Sequence, residues 1–165
     1  MPRVTPEPAG PGQESVWDYP RPPRVEPSNE TVEVLLGGVV VARSQATYRV
    51  LETSHPPTYY LPRTAFREGS LRAVPGATWC EWKGQAAYYD LVVDGRVAER
   101  AAWTYPAPTP GFEVLLDHLA VMPALVDECT VDGERVLPQA GGFYGGWITS
   151  RVVGPFKGEA GTRGW

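Results

Sequence analysis

Proline and glycine interrupt this chain too often for long helices to form. Eighteen of each occur among 165 residues. Proline removes a backbone donor and clashes inside a helix, and glycine loses more conformational freedom there than any other residue. A chain so punctuated folds as many short strands joined by tight turns, and an aromatic content of 11% supplies side chains suited to pleated surfaces. The expected fold is mainly β: a single domain of short antiparallel strands, barrel-like or a folded sheet, with at most one or two short helices. Its length allows one domain with a sizeable core.

The densest pattern runs from Thr78 to Tyr105, which holds three of the six tryptophans and one of the two cysteines. Apolar and aromatic residues alternate with polar ones, and Asp94-Gly95 is a favoured two-residue hairpin turn. A regular turn there sets Val93 beside Arg96, Asp90 beside Glu99 and Ala86 beside Trp103. A second reversal at Gly84-Gln85 sets Lys83 beside Ala86, Glu81 beside Tyr88 and Trp79 beside Asp90. Side chains alternate along a strand. One face then gathers Trp79, Glu81, Lys83, Tyr88, Asp90, Glu99 and Trp103, and Cys80 points to the other. Carboxylates facing each other across a ladder are destabilising, so Asp90 and Glu99 should be solvated, neutralised by Lys83 or sharing a proton. A polar surface walled by rings suits a ligand-facing sheet or barrel mouth. The same rings suit cross-strand pairs on a solvent face equally well.

Ahead of this stretch, residues 1–15 read as a proline-rich arm, extended or disordered, and the domain proper as 16–165. Trp17 and Tyr19 should lie across the domain to bury their rings. Thr31 to Arg43 is a hairpin pattern about Gly37-Gly38, followed by a strand from Thr47 to Glu52 and an edge strand at Tyr59-Tyr60-Leu61. Arg63 to Glu68 suits one helical turn. Beyond the meander, the apolar spacing of Val114, Leu115, Leu119 and Met122 suits a short helix over Phe112 to Met122. Another hairpin turns at Asp132-Gly133. The glycine-rich segment from Gln139 to Trp165 carries five large aromatics and should pack on the body or on another copy of the chain.

A net charge of −4 and a pI near 5.2 provide no broad basic field. Nucleic acid is therefore not expected as a partner. Cys80 and Cys129 are too few and too far apart for a zinc site, and no metal is expected. No segment is long and apolar enough to span a membrane, and the first residues lack the basic start and apolar run of a secretory signal. Cytoplasmic placement with reduced thiols is the expectation. The sequence names no cofactor.

Lys83 is the most suggestive residue for chemistry. An ammonium partly withdrawn from water would have a lowered pKa and could act as a base or Schiff-base nucleophile; alternatively it anchors an anionic group. The plain structural reading is a solvated lysine paired with Glu81 or Glu52. Glu52 suits a general base or a salt-bridge partner. Tyr60, Glu81, Tyr88, Trp103 and Tyr105 would line the ligand pocket, with phenol hydroxyls to orient what binds. Cys80 would be a thiolate only beside Lys83 or His55, and the register above favours a buried hydrophobe.

Specific motifs surround these residues: Lys83-Gly84-x-Ala86-x-Tyr88, with Cys80 three positions earlier and Trp103-x-Tyr105 later. Val40-x-Ala42-x-Ser44, Glu52 followed by Tyr59-Tyr60-x-Pro62, and the blocks Gly142 to Trp147 and Gly154 to Gly158 accompany them. Together they resemble a small bacterial β-rich family, the domain of unknown function 427, sometimes labelled nucleotidyltransferase-like. The resemblance implies a compact β domain and no established reaction. A phosphoryl-transfer site normally sets paired carboxylates for metal beside a glycine-rich or basic cradle. No Walker loop is present, and Gly37-Gly38 and Gly145-Gly146 read as turn glycines. Two functions follow. The first is a small-molecule-binding domain, an enzyme or not, with an aromatic pocket around Lys83; the second is a non-catalytic homo-oligomeric module. Nucleotidyl transfer rests on the family label alone.

Overall fold

The computed structural model describes residues 3–165, so Met1 and Pro2 of the proline-rich arm lie outside the described residues. The first strands are β1 (Glu14–Ser15), β2 (Arg24–Ser28), β3 (Val32–Leu36), β4 (Val39–Ser44), β5 (Thr47–Leu51) and β6 (Thr58–Pro62). The meander follows as β7 (Leu71–Cys80), β8 (Gly84–Val93) and β9 (Arg96–Thr104). After it come β10 (His118–Val121), β11 (Glu128–Val131), β12 (Glu134–Arg135), β13 (Leu137–Pro138), β14 (Trp147–Ile148) and β15 (Val152–Val153). The only helical elements among the described residues are four short 3-10 turns. The fold is mainly β, as proline and glycine usage requires.

Seven strands form one antiparallel sheet in the order β2-β5-β6-β10-β9-β8-β7, and four form a second in the order β12-β11-β3-β4. The sheets do not close into a barrel. Val32, Val34 and Leu36 alternate inward from β3, and with Val41 they meet Leu61, Leu91, Leu119 and Val121 of the larger sheet. The opposite face of the larger sheet buries a second cluster containing Val50, Tyr60, Ala86, Tyr105, Phe112, Leu115 and Ala120. Its middle strands are thus covered on both sides.

That double burial corrects the helix expected over Phe112 to Met122. A 3-10 turn at Glu113–Leu115 is followed by β10, which lies between β6 and β9. Leu119, Ala120 and Val121 are all fully buried. A strand covered on both faces is apolar at every position, and a short run of that kind cannot be told from a helix by spacing.

The hairpin at Asp94-Gly95 forms with both residues at positive φ, and Val93 pairs with Arg96 as expected. The register then shifts between Tyr89 and Leu91, so that Tyr88, not Ala86, faces Trp103. Asp90 therefore does not face Glu99. It accepts a hydrogen bond from the Arg100 backbone N–H at 2.7 Å and pairs with the Arg72 guanidinium at 2.8 Å, whereas Glu99 is exposed. A bulge of this kind resolves the like-charge conflict by moving one carboxylate out of the ladder.

The Arg100 N–H, then Arg72, hold the Asp90 carboxyl below the usual aspartate range. A depressed folded value means that this stabilisation is complete above the unfolded value and is lost as pH falls through the folded one. Asp90→Asn should thus be less stable than wild type near neutrality, and the gap should close below about pH 4. Urea midpoints measured across the acid range test this; a gap that stays constant with pH would exclude the carboxylate as its source.

The second reversal also differs from expectation. Glu81, Trp82 and Lys83 form the turn, Cys80 pairs with Gly84, and Thr78 pairs with Ala86. The change of register is odd, so β7 presents its other face, and Thr78 and Cys80 now share a side with Ala86 and Tyr88. Contact with residues 107–109 accompanies this turn. The Lys83 carbonyl accepts from the Thr109 N–H at 3.1 Å. Gly84 adopts φ +105°, and a Cβ there would sit 3.2 Å from the Ala107 carbonyl oxygen.

Both ends of the chain pack on the body. β1 pairs with β15, and Val16, Tyr19, Leu51 and Val152 form a third cluster. The Trp17 indole N–H donates to the Pro155 carbonyl at 2.9 Å. Trp147 is fully buried within the main core.

Candidate functional site

Cross-strand register lays a row of side chains over the second face of the large sheet. Tyr48 pairs with Tyr60, Tyr60 with Ala120, Ala120 with Trp103, and Trp103 with Tyr88. Alanine at the middle position leaves room above β10, and the rings of Tyr60 and Trp103 meet edge to face with centroids 6.5 Å apart. Tyr105, two residues beyond Trp103 and so on the same face, places its ring 6.3 Å from Tyr60.

These rings wall a cavity of about 560 Å³, a volume typical of small-molecule sites. Glu52, Tyr60, Glu81, Lys83, Tyr88, Trp103 and Tyr105 all line it, although they come from four separate parts of the chain. Glu81 is exposed at its edge. Cys80 lines it too, half-buried, and is not on the opposite side of the strand from the pocket. The odd register change between β7 and β8 is the reason.

Lys83 sits on the 81–83 turn with Nζ 5.5 Å from the centroid of the Tyr105 ring. No ion pair among the described residues includes it. Burial pulls its pKa down, but the nearby Tyr60, Cys80 and Glu52 outweigh that pull and leave it above the ordinary lysine value. The lowered value expected of a neutral amine base does not occur, and Lys83 is an ammonium at neutral pH. Burial pushes the phenols of Tyr60 and Tyr105 up, so both stay protonated and can donate.

On the same cavity, Glu52 is held through one oxygen. Its Oε2 lies 3.2 Å from Arg21 Nε and 3.6 Å from His55 Nε2, and no donor among the described residues reaches Oε1. The tautomer of His55 follows from its neighbour. Gln139 Oε1 accepts from the Gly146 N–H at 3.1 Å, so its amide nitrogen is the end that faces Lys157 O at 2.7 Å and His55 Nδ1 at 3.1 Å. An amide NH₂ opposite Nδ1 makes Nδ1 the acceptor and puts the ring proton on Nε2, toward Glu52. Burial lowers the His55 pKa to about 4, against the opposing pull of Glu52, and the ring is neutral.

The remaining wall comes from the glycine-rich blocks. Tyr144 packs edge-on to His55 with centroids 4.9 Å apart, and Lys157 Nζ lies 5.6 Å from the Tyr144 ring centroid. Gly145 and Gly146 are not turn glycines with positive φ. A Cβ on Gly145 would fall 2.2 Å from Trp103 Cη2, and one on Gly146 would fall 2.5 Å from Gln139 Oε1 and from Pro56 Cγ. Both positions lack a side chain because the wall sits directly on its neighbours. Sequence reasoning assigned no site role to Gln139, Tyr144 or Lys157; their only signal was the motif blocks in which Tyr144 and Lys157 stand.

A wider groove of about 940 Å³ runs past Glu14, Glu26, Glu30, Arg49 and Arg151. Its charges already satisfy one another: Arg49 pairs with Glu14 and Glu26, and Arg151 with Glu30 and Asp132. The smaller cavity, with its uncommitted ammonium, is therefore the candidate site. No group of three or more histidine, cysteine or acidic residues suited to a metal occurs among the described residues. No helix among them is long and apolar enough to cross a membrane.

Among curated proteins, none matches this chain. The sequence model of the family described as a domain of unknown function, DUF427, matches residues 24–132, which cover β2 through β11 and the central meander. That match takes in more than half of the chain, and the protein belongs to the DUF427 family.

Proposed function

We propose that this domain binds a small anionic molecule between Lys83 and the aromatic row of the large sheet. One observation carries the reading: an ammonium facing a ring-walled cavity without a carboxylate partner of its own. Buried charges are normally paired, so a free one in a concave site is matched by a charge on what binds there. Protonated Tyr60 and Tyr105 add hydrogen-bond donors, and the rings hold a flat or sugar-like body. An enzyme working here would use Lys83 to stabilise negative charge and Glu52 as the proton acceptor. Nucleotidyl transfer has less support, because Asp90 is committed to Arg72 and the Asp90–Glu99 pair is not assembled. Both cysteines are free thiols, which supports a reducing cytoplasm as the setting.

Native mass spectrometry of protein purified from its own cells tests the reading. Wild type should carry a small-molecule adduct, and Lys83→Met should lose it, with affinity for the isolated compound falling at least about tenfold. A wild-type protein that carries nothing and binds no anion in solution would sink the proposal.

A further inference from the structure

One group on the cavity has no part in the binding reading: the Cys80 thiol. Cys80 ends β7 and pairs with Gly84, so the 81–83 turn brings Lys83 back beside it. Thr109 fixes that turn, its N–H donating to the Lys83 carbonyl at 3.1 Å and its hydroxyl to the Trp82 carbonyl. Cys80 is a free thiol, half-buried, and lines the cavity. Burial, the leading influence on Lys83, lowers its pKa; Tyr60, Cys80 and Glu52 oppose it, Cys80 also through a side-chain hydrogen bond. A cation beside the sulfur is the setting in which thiolates act as nucleophiles.

Donors for the other partner in such a reaction stand on the same cavity. Tyr60 is 1% exposed and lines it together with Tyr105. The Tyr60 oxygen accepts from the Trp103 and Tyr105 side chains, and its own O–H has no acceptor among the described residues. When a nucleophile adds to an acyl carbon, the carbonyl oxygen becomes an anion, and fixed O–H and N–H donors lower the barrier to that step. Tyr60 and Lys83 supply one of each, and the ring-walled space takes the body of the acyl group.

We infer that Cys80 is a nucleophile that accepts an acyl group from an ester or thioester, with Lys83 and Tyr60 stabilising the oxyanion. The inference deepens the binding reading above and uses the same cavity and ammonium. A bond forms from Cys80 Sγ to the acyl carbon, and the bond from that carbon to the leaving oxygen or sulfur breaks. The leaving atom departs with a proton from the Lys83 ammonium. Lys83 is then reprotonated from water, which took up the thiol proton.

Acetylation by 4-nitrophenyl acetate tests this, read as 4-nitrophenol release and as a mass gain located on digested peptides. The acetyl group should settle on Cys80 at least about tenfold faster in the folded protein than in the urea-unfolded chain. Cys129, 1% exposed with its thiol pushed up by burial, should stay unmodified in the folded protein. Tyr60→Phe and Lys83→Met should each slow Cys80 acetylation about tenfold, with circular dichroism confirming the fold. A rate no higher than in the unfolded chain, a rate unchanged in both variants, or an acetyl group on Lys83 instead of Cys80 overturns the inference. Native mass spectrometry separates the two readings. A Lys83-dependent adduct without Cys80 acetylation retains only the binding site, and acetylation without any adduct retains only the nucleophile.

Discussion

Trp147→Ala is expected to cost about 3–5 kcal/mol, the usual penalty for truncating a buried tryptophan. The ring is fully buried and packs 5.0 Å, centroid to centroid, from Tyr59. Its indole N–H donates to the Val121 carbonyl at 3.1 Å, and its backbone N–H to the Pro57 carbonyl at 2.8 Å. Truncation therefore leaves a large void between the sheets and strips a buried carbonyl of its donor, a second cost of about 1–3 kcal/mol when the group stays dry. Domains of this kind are stable by only about 5–15 kcal/mol, so urea denaturation should show a large fall in midpoint. Trp147→Phe keeps most of the ring and loses the donor, and should fall between wild type and alanine. A loss below about 1 kcal/mol for the alanine variant would mean that the glycine-rich segment is not part of the core.

Acidification provides the second large effect. Unfolded histidine takes up its proton near pH 6.5, whereas folded His55 does so only at about 4. Between those values the unfolded chain binds more protons, so stability falls as pH falls. The contribution of neutral His55 is complete above about pH 6.5 and is lost by about pH 4, with an upper limit of about 3 kcal/mol. Burial of the ring is the main cause. A second ring proton would sit on Nδ1 and confront the Gln139 amide, which already donates to Lys157 O. His55→Phe preserves a ring against Tyr144 and cannot titrate, so its stability should decline less over this range. Parallel curves for the two proteins between pH 6.5 and 4 would show that His55 is not held neutral by the fold.

The two effects converge on the same wall of the cavity. Trp147 anchors the segment that places Tyr144 and Gly145, and Gln139 links that segment to His55 and, through it, to Glu52. Loss of the anchor should thus loosen the site as well as the core. The residues that orient Glu52 lie partly outside the 24–132 span of the family match, at Arg21 and Gln139.

Much of the architecture was legible in the residues themselves. Proline and glycine exclude long helices wherever the chain is placed, Asp94-Gly95 forms its hairpin because both positions tolerate positive φ, and β3 alternates because one of its faces meets the small sheet's partner. These are local constraints, and short-range geometry is enough to set them. Register past a bulge is a different matter. The Tyr88–Trp103 pairing, the pocket position of Cys80 and the release of Asp90 from Glu99 depend on where the extra residues are absorbed. A one-residue change there moves every later side chain to the other face. The strand at β10 likewise depends on having neighbours on both sides, which no periodicity records. Sequence by itself determined a β domain with an amine among aromatic rings. Tertiary packing alone decided that the amine stays charged, because distant segments bring Tyr60 and Glu52 beside it and leave it without an ion pair among the described residues over an open cavity.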